Sequence, residues 1–173
     1  MIKEFYTKSI KDQNVKFKTN EVVSEYVREE KVTGLRLYIT GLVGVAGSAK
    51  KDIDLVKLEK KALENAKNNK YPVDSSNGLQ QKIIYNYEIS SDKDFKESMV
   101  NFVKDLKNRM PEYDFSGQIS LIDREESLKN DMSLNLHYVD HYIIMNLKLS
   151  KQEEKWSIPF NYRGRRFSRE IFS

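Results

Sequence analysis

Two histidines, His137 and His141, are the residues of this sequence best suited to metal chemistry. They occur in the segment His-Tyr-Val-Asp-His, and on a helix a spacing of four residues would place both on one face. The surrounding residues alternate as in a strand, where the two would lie about 13 Å apart, too far to share one ion. A catalytic zinc also needs a third ligand and usually a carboxylate base, and no Glu follows His137. We therefore predict two strand histidines and no metal site, with His137 and His141 kept as the metal-ligand candidates.

Nucleophilic and phosphate-binding patterns are missing from the sequence. It contains no cysteine and no serine in a Gly-x-Ser-x-Gly elbow. The glycines between Gly34 and Gly47 do not follow the strand-loop-helix order of a dinucleotide or P-loop site. We therefore assign no catalytic residue and no cofactor to this chain.

Composition limits the partners that the protein can have. The 173 residues carry a net charge of +4, with 30 Lys and Arg against 26 Asp and Glu, which indicates a mixed surface and argues against nucleic acid as a partner. No apolar run approaches the roughly 18–20 residues of a membrane span, and the first residues lack the apolar core of a signal peptide. With no cysteine, the sequence is consistent with a cytoplasmic protein.

The segment 32–49 predicts a β-hairpin. Leu35, Leu37 and Ile39 alternate with polar or aromatic residues, a Thr-Gly pair follows, and a second apolar run begins. Gly44 and Gly47 lie inside that second run, where glycine indicates a bulge or a close backbone approach. Together with turns predicted at residues 12–14 and 19–21, the first 49 residues read as a meander of four antiparallel strands.

Two helices are predicted. The first begins at Asp54 as N-cap, with Ile53 and Leu58 arranged as a hydrophobic staple. The second begins at Ser91, with Asp94 completing a capping box, and ends before Pro111. Apolar residues at helical spacing form the predicted buried stripes: Leu55, Leu58, Ala62, Leu63 and Ala66 in the first helix, and Phe95, Met99, Phe102, Val103, Leu106 and Met110 in the second.

Strands return from Phe115 onward. Residues 73–81 read as a loop, residues 123–131 as a charged turn or strand end, and Pro159 as a strand breaker. Between residues 132 and 149 the apolar residues change parity near Val139 and Asp140, which predicts a turn or bulge there. The element order predicts an α+β fold, in which an antiparallel sheet (an N-terminal meander plus long C-terminal strands) carries two helices on one face. We predict one domain over residues 1–160 and a basic tail over residues 161–173.

The hairpin also resembles a family signature. Gly34, Leu35, Arg36 and Leu37, followed by Gly44, Val45 and Ala46, are similar to the N-terminal domain of the TldD/PmbA family of zinc metallopeptidases, also described as modulators of DNA gyrase. Val45 stands where the family usually has an aromatic residue, and the family commonly has a helix before its first strand. The segment Gly164-Arg165-Arg166-Phe167 is similar to a Gly-Arg-Phe stretch that precedes the catalytic half in some members.

The resemblance implies a non-catalytic N-terminal portion of a metalloprotease that degrades unfolded peptides. It implies a homo- or hetero-dimer with a TldD/PmbA-like subunit, a wall around an extended peptide substrate, and zinc bound by a catalytic half outside this sequence. Gly34, Arg36 and Gly44 are then structural residues of the motif. Arg36 could orient a carboxylate or a backbone carbonyl, or extend to the surface with its stem packed. The alternative function is a free-standing binding or assembly module that has lost the catalytic half.

Overall fold

The computed structural model describes residues 1–50, 52–68, 78–85, 92–151 and 156–165. The elements are β1 (Ile2–Lys18), β2 (Glu21–Ile39), β3 (Leu42–Ser48), α1 (Leu55–Glu64), β4 (Lys67–Asn68), β5 (Gln80–Tyr85), α2 (Asp92–Arg109), β6 (Tyr113–Asn130), β7 (Asn135–Lys151) and β8 (Ser157–Gly164). Within these residues the strands form an eight-stranded sheet of order β4-β3-β2-β1-β6-β7-β5, and β8 pairs with β7. The predicted α+β class, an antiparallel sheet with two helices, is confirmed.

Two tight turns set the register of the first three strands. Thr19 and Asn20 both take positive φ, 50° and 69°, between β1 and β2, as a two-residue turn of type I′ requires. Between β2 and β3, Ile39 pairs with Leu42, so Thr40 and Gly41 alone form the connection, and Gly41 takes a φ of 69°. The predicted hairpin and the predicted turn at residues 19–21 are confirmed.

The chain divides into two compact units. The first unit comprises Met1–Ile10, Glu29–Ile84 and Arg124–Val139, and the second comprises Lys11–Arg28, Tyr85–Asp123 and Asp140–Ser173. Each unit has a hydrophobic core of its own. The predicted boundary at residue 160 stays a prediction.

In the first unit, α1 packs on β2 and β3. The Asp54 side chain accepts a hydrogen bond from the Lys57 backbone N–H (3.1 Å), so Asp54 is the predicted N-cap. The core consists of Leu35, Leu37, Ala46, Leu58 and Ala62, with Phe5 and Ile53 packed against it. The predicted buried stripe of α1 includes two residues too many, because Leu55 and Leu63 are exposed.

In the second unit, α2 supplies most of the core. All six residues of its predicted stripe lie in or against the cluster of Val15, Phe17, Phe95, Met99, Phe102, Val103, Leu106, Phe115, Ile119, Leu121, Ile143, Met145, Leu147 and Leu149. The helix ends at Arg109, before Pro111, as predicted. The predicted capping box lies outside the described residues at Ser91, and the side chain of Asp94 is likewise outside them.

The prediction of four strands in the first 49 residues is wrong, because β1 continues through residues 12–14. Gln13 and Asn14 are buried, although their residue types suggested a solvent-exposed turn. The Asn14 side chain accepts hydrogen bonds from Ser120 and Gln118 on β6. Side-chain partners on a neighbouring strand therefore keep a polar residue within the sheet.

Of the two predictions for the charged segment 123–131, a turn or a strand end, the strand end is confirmed, since β6 runs to Asn130. Its charged side chains find partners close by, as when Asp123 contacts His141 and Glu126 contacts Tyr6. The turn lies later, at residues 131–133, where Ser133 takes a φ of 67°.

The predicted turn near Val139 and Asp140 is wrong, because β7 runs through both residues, and the alternative of a bulge stays a prediction. The parity of the apolar residues changes where the chain passes from the first unit to the second. The predicted break at Pro159 is also wrong. Pro159 lies inside β8, paired with Lys148 of β7. An edge strand tolerates proline because the missing N–H can face outward. Most of the predicted loop at residues 73–81 lies outside the described residues.

The close packing of α1 on β3 depends on Gly44. A Cβ atom at Gly44 would lie 2.0 Å from the Ala62 carbonyl oxygen, whereas one at Gly47 would have its nearest neighbour at 3.6 Å. The close backbone approach predicted from these two glycines therefore occurs at Gly44.

We expect Gly44→Ala to lower the free energy of unfolding by about 1–3 kcal/mol, because the added methyl group must push the helix away from the strand. Gly47→Ala is the matched control on the same strand and should leave stability unchanged or slightly raised. Urea denaturation followed by circular dichroism measures both. Equal stability of the two variants would contradict this account of the helix–strand contact.

Candidate functional site

The candidate site is the face of the sheet in the first unit that α1 does not cover. On β2, Leu35 and Leu37 point into the core under α1, so Arg36 and Tyr38 point to the opposite face. On β1, Phe5 packs against that core, and the neighbouring Tyr6 lies on the other side.

Two adjoining cavities lie on this open face. The first, of about 300 Å³, is lined by Tyr6, Gln81, Ile83, Glu126, Ser127, Leu128, Leu136, His137 and Tyr138. The second, of about 350 Å³, is lined by Glu4, Tyr6, Gly34, Leu35, Arg36, Val45 and Leu128. They share Tyr6 and Leu128, and we call them together the open-face groove. It crosses six strands, from β3 to β5, a distance of about 24 Å at the usual spacing between strands.

A carboxylate network lies beside the apolar floor of the groove. Glu126 Oε1 accepts a hydrogen bond from the Tyr6 hydroxyl (2.9 Å) and from Arg124 Nε (2.9 Å) and Nη2 (2.6 Å). Lys8 Nζ lies 3.9 Å from the same oxygen. The Arg124 guanidinium also stands over the ring of Tyr138, 5.9 Å from its centre. Glu126 thereby fixes Tyr6 and Arg124 at the edge of the groove.

This network changes the ionisation of its members. Burial alone would raise the pKa of Glu126, but hydrogen bonds from Arg124 and Tyr6 and the positive charges of Arg124 and Lys8 outweigh it, so the pKa lies below the ordinary value. Burial raises the pKa of Tyr6, and the hydrogen bond to Glu126 raises it further. At neutral pH the groove therefore contains an ionised carboxylate and a protonated phenol.

Arg36, singled out from the family signature, lies at the other end of the groove. Its Nη1 donates to Glu4 Oε1 (2.9 Å) and to the Tyr38 hydroxyl (3.2 Å). The hydrogen bond to Tyr38 is the main cause that raises the pKa of Arg36 above its ordinary value. Arg36 thus pairs with a carboxylate while half of its side chain is exposed, so the roles considered for it stay predictions.

The two glycines of the family signature, Gly34 and Gly44, have different structural surroundings. Gly34 lines the groove, and a Cβ there would be 3.9 Å from Tyr6 Cβ, in ordinary contact. Gly44 lies under α1 and takes no part in lining the groove. The motif therefore combines a helix-packing residue with groove residues.

The structure places the two histidines beside different carboxylates. His137, which lines the groove, has Nε2 2.9 Å from Glu125 Oε1. His141 belongs to the second unit and has Nδ1 2.8 Å from Asp123 Oδ1. In the described part of the chain no group of three or more His, Asp or Glu side chains could hold a metal ion. The residues present there do not fit a zinc site.

Sequence reasoning missed most of the groove. Tyr6 lies in a poorly alternating predicted strand, and Glu126 and Leu128 lie in a segment predicted as a charged turn or strand end. Leu136 and Tyr138 are recognised from the sequence only as one side of the parity change in β7. The parity change in β7 was the sequence signal that could have revealed the groove. Apolar residues early in the strand point to the face opposite the core residues that follow, which indicates a second apolar surface.

Within the residues that the structure describes, no helix is long and apolar enough to cross a membrane.

Comparisons with known proteins identify the fold. No family model matches the sequence, and no curated protein matches it. Among solved structures, the chain is similar to a proposed modulator of a DNA gyrase from Thermotoga maritima, with a TM-score of 0.72 at 10% identity over 98% of this chain and 41% of that one. It is also similar to TldE from Thermococcus kodakarensis, with a TM-score of 0.62 at 16% identity over 95% of this chain and 40% of that one.

A third similar structure is a proposed modulator of DNA gyrase from Bacteroides thetaiotaomicron, with a TM-score of 0.63 at 9% identity over 95% of this chain and 40% of that one. The chain thus spans about two fifths of the length of these proteins. At such low identities the similarity shows the fold, and the TldD/PmbA-like fold expected from the hairpin signature is confirmed.

The lowered pKa of Glu126 predicts how the free energy of unfolding depends on pH. Because the folded-state pKa is lower than the unfolded value of about 4.3, the network stabilises the fold above that pH and loses its effect as the pH falls through the folded-state pKa. We expect Glu126→Gln to lower the free energy of unfolding by about 1–2 kcal/mol at pH 7. The difference from the wild type should shrink below pH ~4.

Urea denaturation from pH 7 to pH 2.5 measures this difference. Glu64→Gln, an exposed substitution on α1, is the control and should keep the wild-type dependence on pH. A Glu126→Gln difference that stays constant down to pH 2.5 would rule out the proposed ionised network.

Proposed function

We propose that this chain is the non-catalytic N-terminal portion of a TldD/PmbA-like metalloprotease, and that its open-face groove holds an extended segment of an unfolded peptide. The fold is the one shared with TldE and the proposed gyrase modulators. The observation that supports a peptide-binding wall is the groove itself, an uncovered sheet face with an apolar floor in a unit that has its own core.

The dimensions of the groove suit an extended chain. About 24 Å across six strands accommodates roughly seven residues at 3.3–3.6 Å each. Leu128, Leu136 and Ile83 can pack against apolar side chains of a peptide, while the paired charges of Glu126 and Arg36 border the groove. A wall of this kind distinguishes apolar from charged segments without reading a defined sequence, as proteolysis of unfolded chains requires.

Zinc is bound, under this proposal, by the catalytic half and not by this chain, since the described residues offer no set of three ligands. Dimerisation with a second TldD/PmbA-like subunit belongs to the same proposal. Cleavage therefore takes place outside the groove described above.

Binding of an unfolded peptide tests the groove. We expect a fluorescein-labelled, apolar-rich peptide of about eight residues to bind the chain, and Leu136→Lys to weaken binding about tenfold because a charge replaces an apolar contact. Val56→Lys introduces the same charge on exposed α1 and should bind as the wild type does. Fluorescence anisotropy gives the dissociation constants, and circular dichroism confirms that both variants are folded. Equal affinities for the two variants would remove the groove from the proposal.

Peptidase activity tests the non-catalytic assignment. We expect the purified chain to leave an unfolded casein substrate intact, with or without added Zn²⁺, because the described residues provide no group of three or more side chains that could hold a metal ion. Mass spectrometry of the substrate after overnight incubation detects cleavage. Hydrolysis that a chelator abolishes and Zn²⁺ restores would overturn the assignment.

A further inference from the structure

A cavity with two arginines lies in the second unit, beside the end of β8. It has a volume of about 580 Å³ and is lined by Asp140, Tyr142, Tyr162, Arg163, Gly164 and Arg165. All six residues belong to the second unit, so the cavity lies within one compact body. Its volume falls in the range of sites that hold small molecules. We call it the arginine pocket.

Asp140 is the carboxylate of the arginine pocket, and Arg165 neutralises it. Arg165 Nε lies 2.7 Å from Asp140 Oδ1 and Arg165 Nη2 lies 3.0 Å from Oδ2, so the guanidinium donates to both oxygens. The Asp140 side chain is only 7% exposed, and a charge so well buried requires a partner of this kind. The Arg165 guanidinium also stands 4.0 Å from the centre of the Tyr85 ring. The pair therefore forms a fixed wall that carries no net charge.

Arg163 is the second cation of the arginine pocket, and an aromatic ring holds it. Arg163 pairs with Ile144 across β8 and β7, which makes Tyr142 a diagonal neighbour on the same face of the sheet. The guanidinium carbon of Arg163 lies 4.5 Å from the centre of the Tyr142 ring. A guanidinium that stands over a ring keeps its N–H groups, which lie in its own plane, available for an acceptor.

The arginine pocket has an excess of positive charge. Its lining contains two arginines and one carboxylate, and Arg165 already neutralises that carboxylate. Within the described residues Arg163 has no carboxylate partner. Arginine binds the oxygens of carboxylates and phosphates through two parallel N–H groups. A ligand that supplies such oxygens therefore completes the contacts of Arg163.

We propose that the arginine pocket binds a small organic anion, whose carboxylate or phosphate group accepts two hydrogen bonds from Arg163. The Arg165–Asp140 pair is a rigid part of the wall, and Tyr142 positions Arg163. The pocket is larger than the anionic group alone, so the organic part of the ligand lies beside the tyrosine side chains. The inference goes beyond peptide binding, since every residue that lines the open-face groove belongs to the first unit.

Four small molecules test the chemistry of the ligand. Benzoate and phenyl phosphate carry different anionic groups on the same ring, benzamide is the neutral counterpart of benzoate, and inorganic phosphate lacks the ring. We expect at least one of the aromatic anions to bind the purified chain with a dissociation constant of about 1 mM or below. Benzamide should bind at least about tenfold more weakly, because it has no charge to pair with Arg163. Titration followed by ¹H–¹⁵N NMR gives these constants.

Substitution of Arg163 tests the residue. We expect Arg163→Gln to raise the dissociation constant of the aromatic anion about tenfold, because the charge and the paired donors are lost. Arg163→Lys keeps the charge without the paired donors and should raise the constant about threefold. Arg109→Gln, at the exposed end of α2 in the same unit, removes the same charge elsewhere and should bind as the wild type does. Circular dichroism checks that the variants are folded.

The outcomes decide whether the site exists and which anion it takes. Tighter binding of benzoate than of phenyl phosphate identifies a carboxylate ligand, the reverse order identifies a phosphate ligand, and either supports the site. Absence of binding by both at about 20 mM, benzamide that binds as benzoate does, or equal affinities of the wild type and Arg163→Gln would overturn it. Inorganic phosphate that binds as tightly as phenyl phosphate would overturn the organic part of the ligand.

The peptide measurement is independent of this one. Peptide binding is measured by anisotropy with Leu136→Lys, a substitution in the first unit. Loss of anion binding therefore leaves the proposed peptide function standing. Loss of peptide binding with anion binding intact would reject the open-face groove and keep the arginine pocket.

Discussion

A β-strand presents alternate side chains to two faces, and in each unit of this protein a helix covers one of those faces. Much of the remaining structure follows from this constraint. In the first unit α1 needs close contact with β3, which Gly44 permits because any larger residue would meet the Ala62 carbonyl. The opposite side of the same strands has no helix above it among the described residues. Apolar residues there form the floor of a groove and not part of a core.

At the margins of the uncovered sheet face, carboxylates hold the neighbouring polar side chains in place. Glu126 gathers Tyr6, Arg124 and Lys8 around one oxygen, and Glu4 holds Arg36 against Tyr38. The hydrogen bonds to Glu126 outweigh its desolvation, which keeps the carboxylate charged beside an apolar floor. The groove thus has apolar side chains on its floor and charged side chains at its edge.

Fold similarity and function remain separate inferences for this chain. The structures that resemble it show how the strands and helices are arranged, at identities of 9–16%. Function depends on the site, and within the described residues no group of three or more His, Asp or Glu side chains could hold a metal ion. The open-face groove is the feature on which the proposed peptide binding rests.

The sequence by itself determined the local elements. Asp54 as N-cap, the apolar stripe of α2 and the two-residue hairpin at Thr40 and Gly41 depend on interactions within a few residues, so pattern alone predicted them. Tertiary structure decided where polar residues are buried, as when Asn14 stays within β1 because Ser120 binds its side chain. It also decided that the charged segment of β6 is a strand and that its side chains border a groove. These outcomes depend on neighbours about a hundred residues away along the chain, which periodicity in a single segment does not reveal.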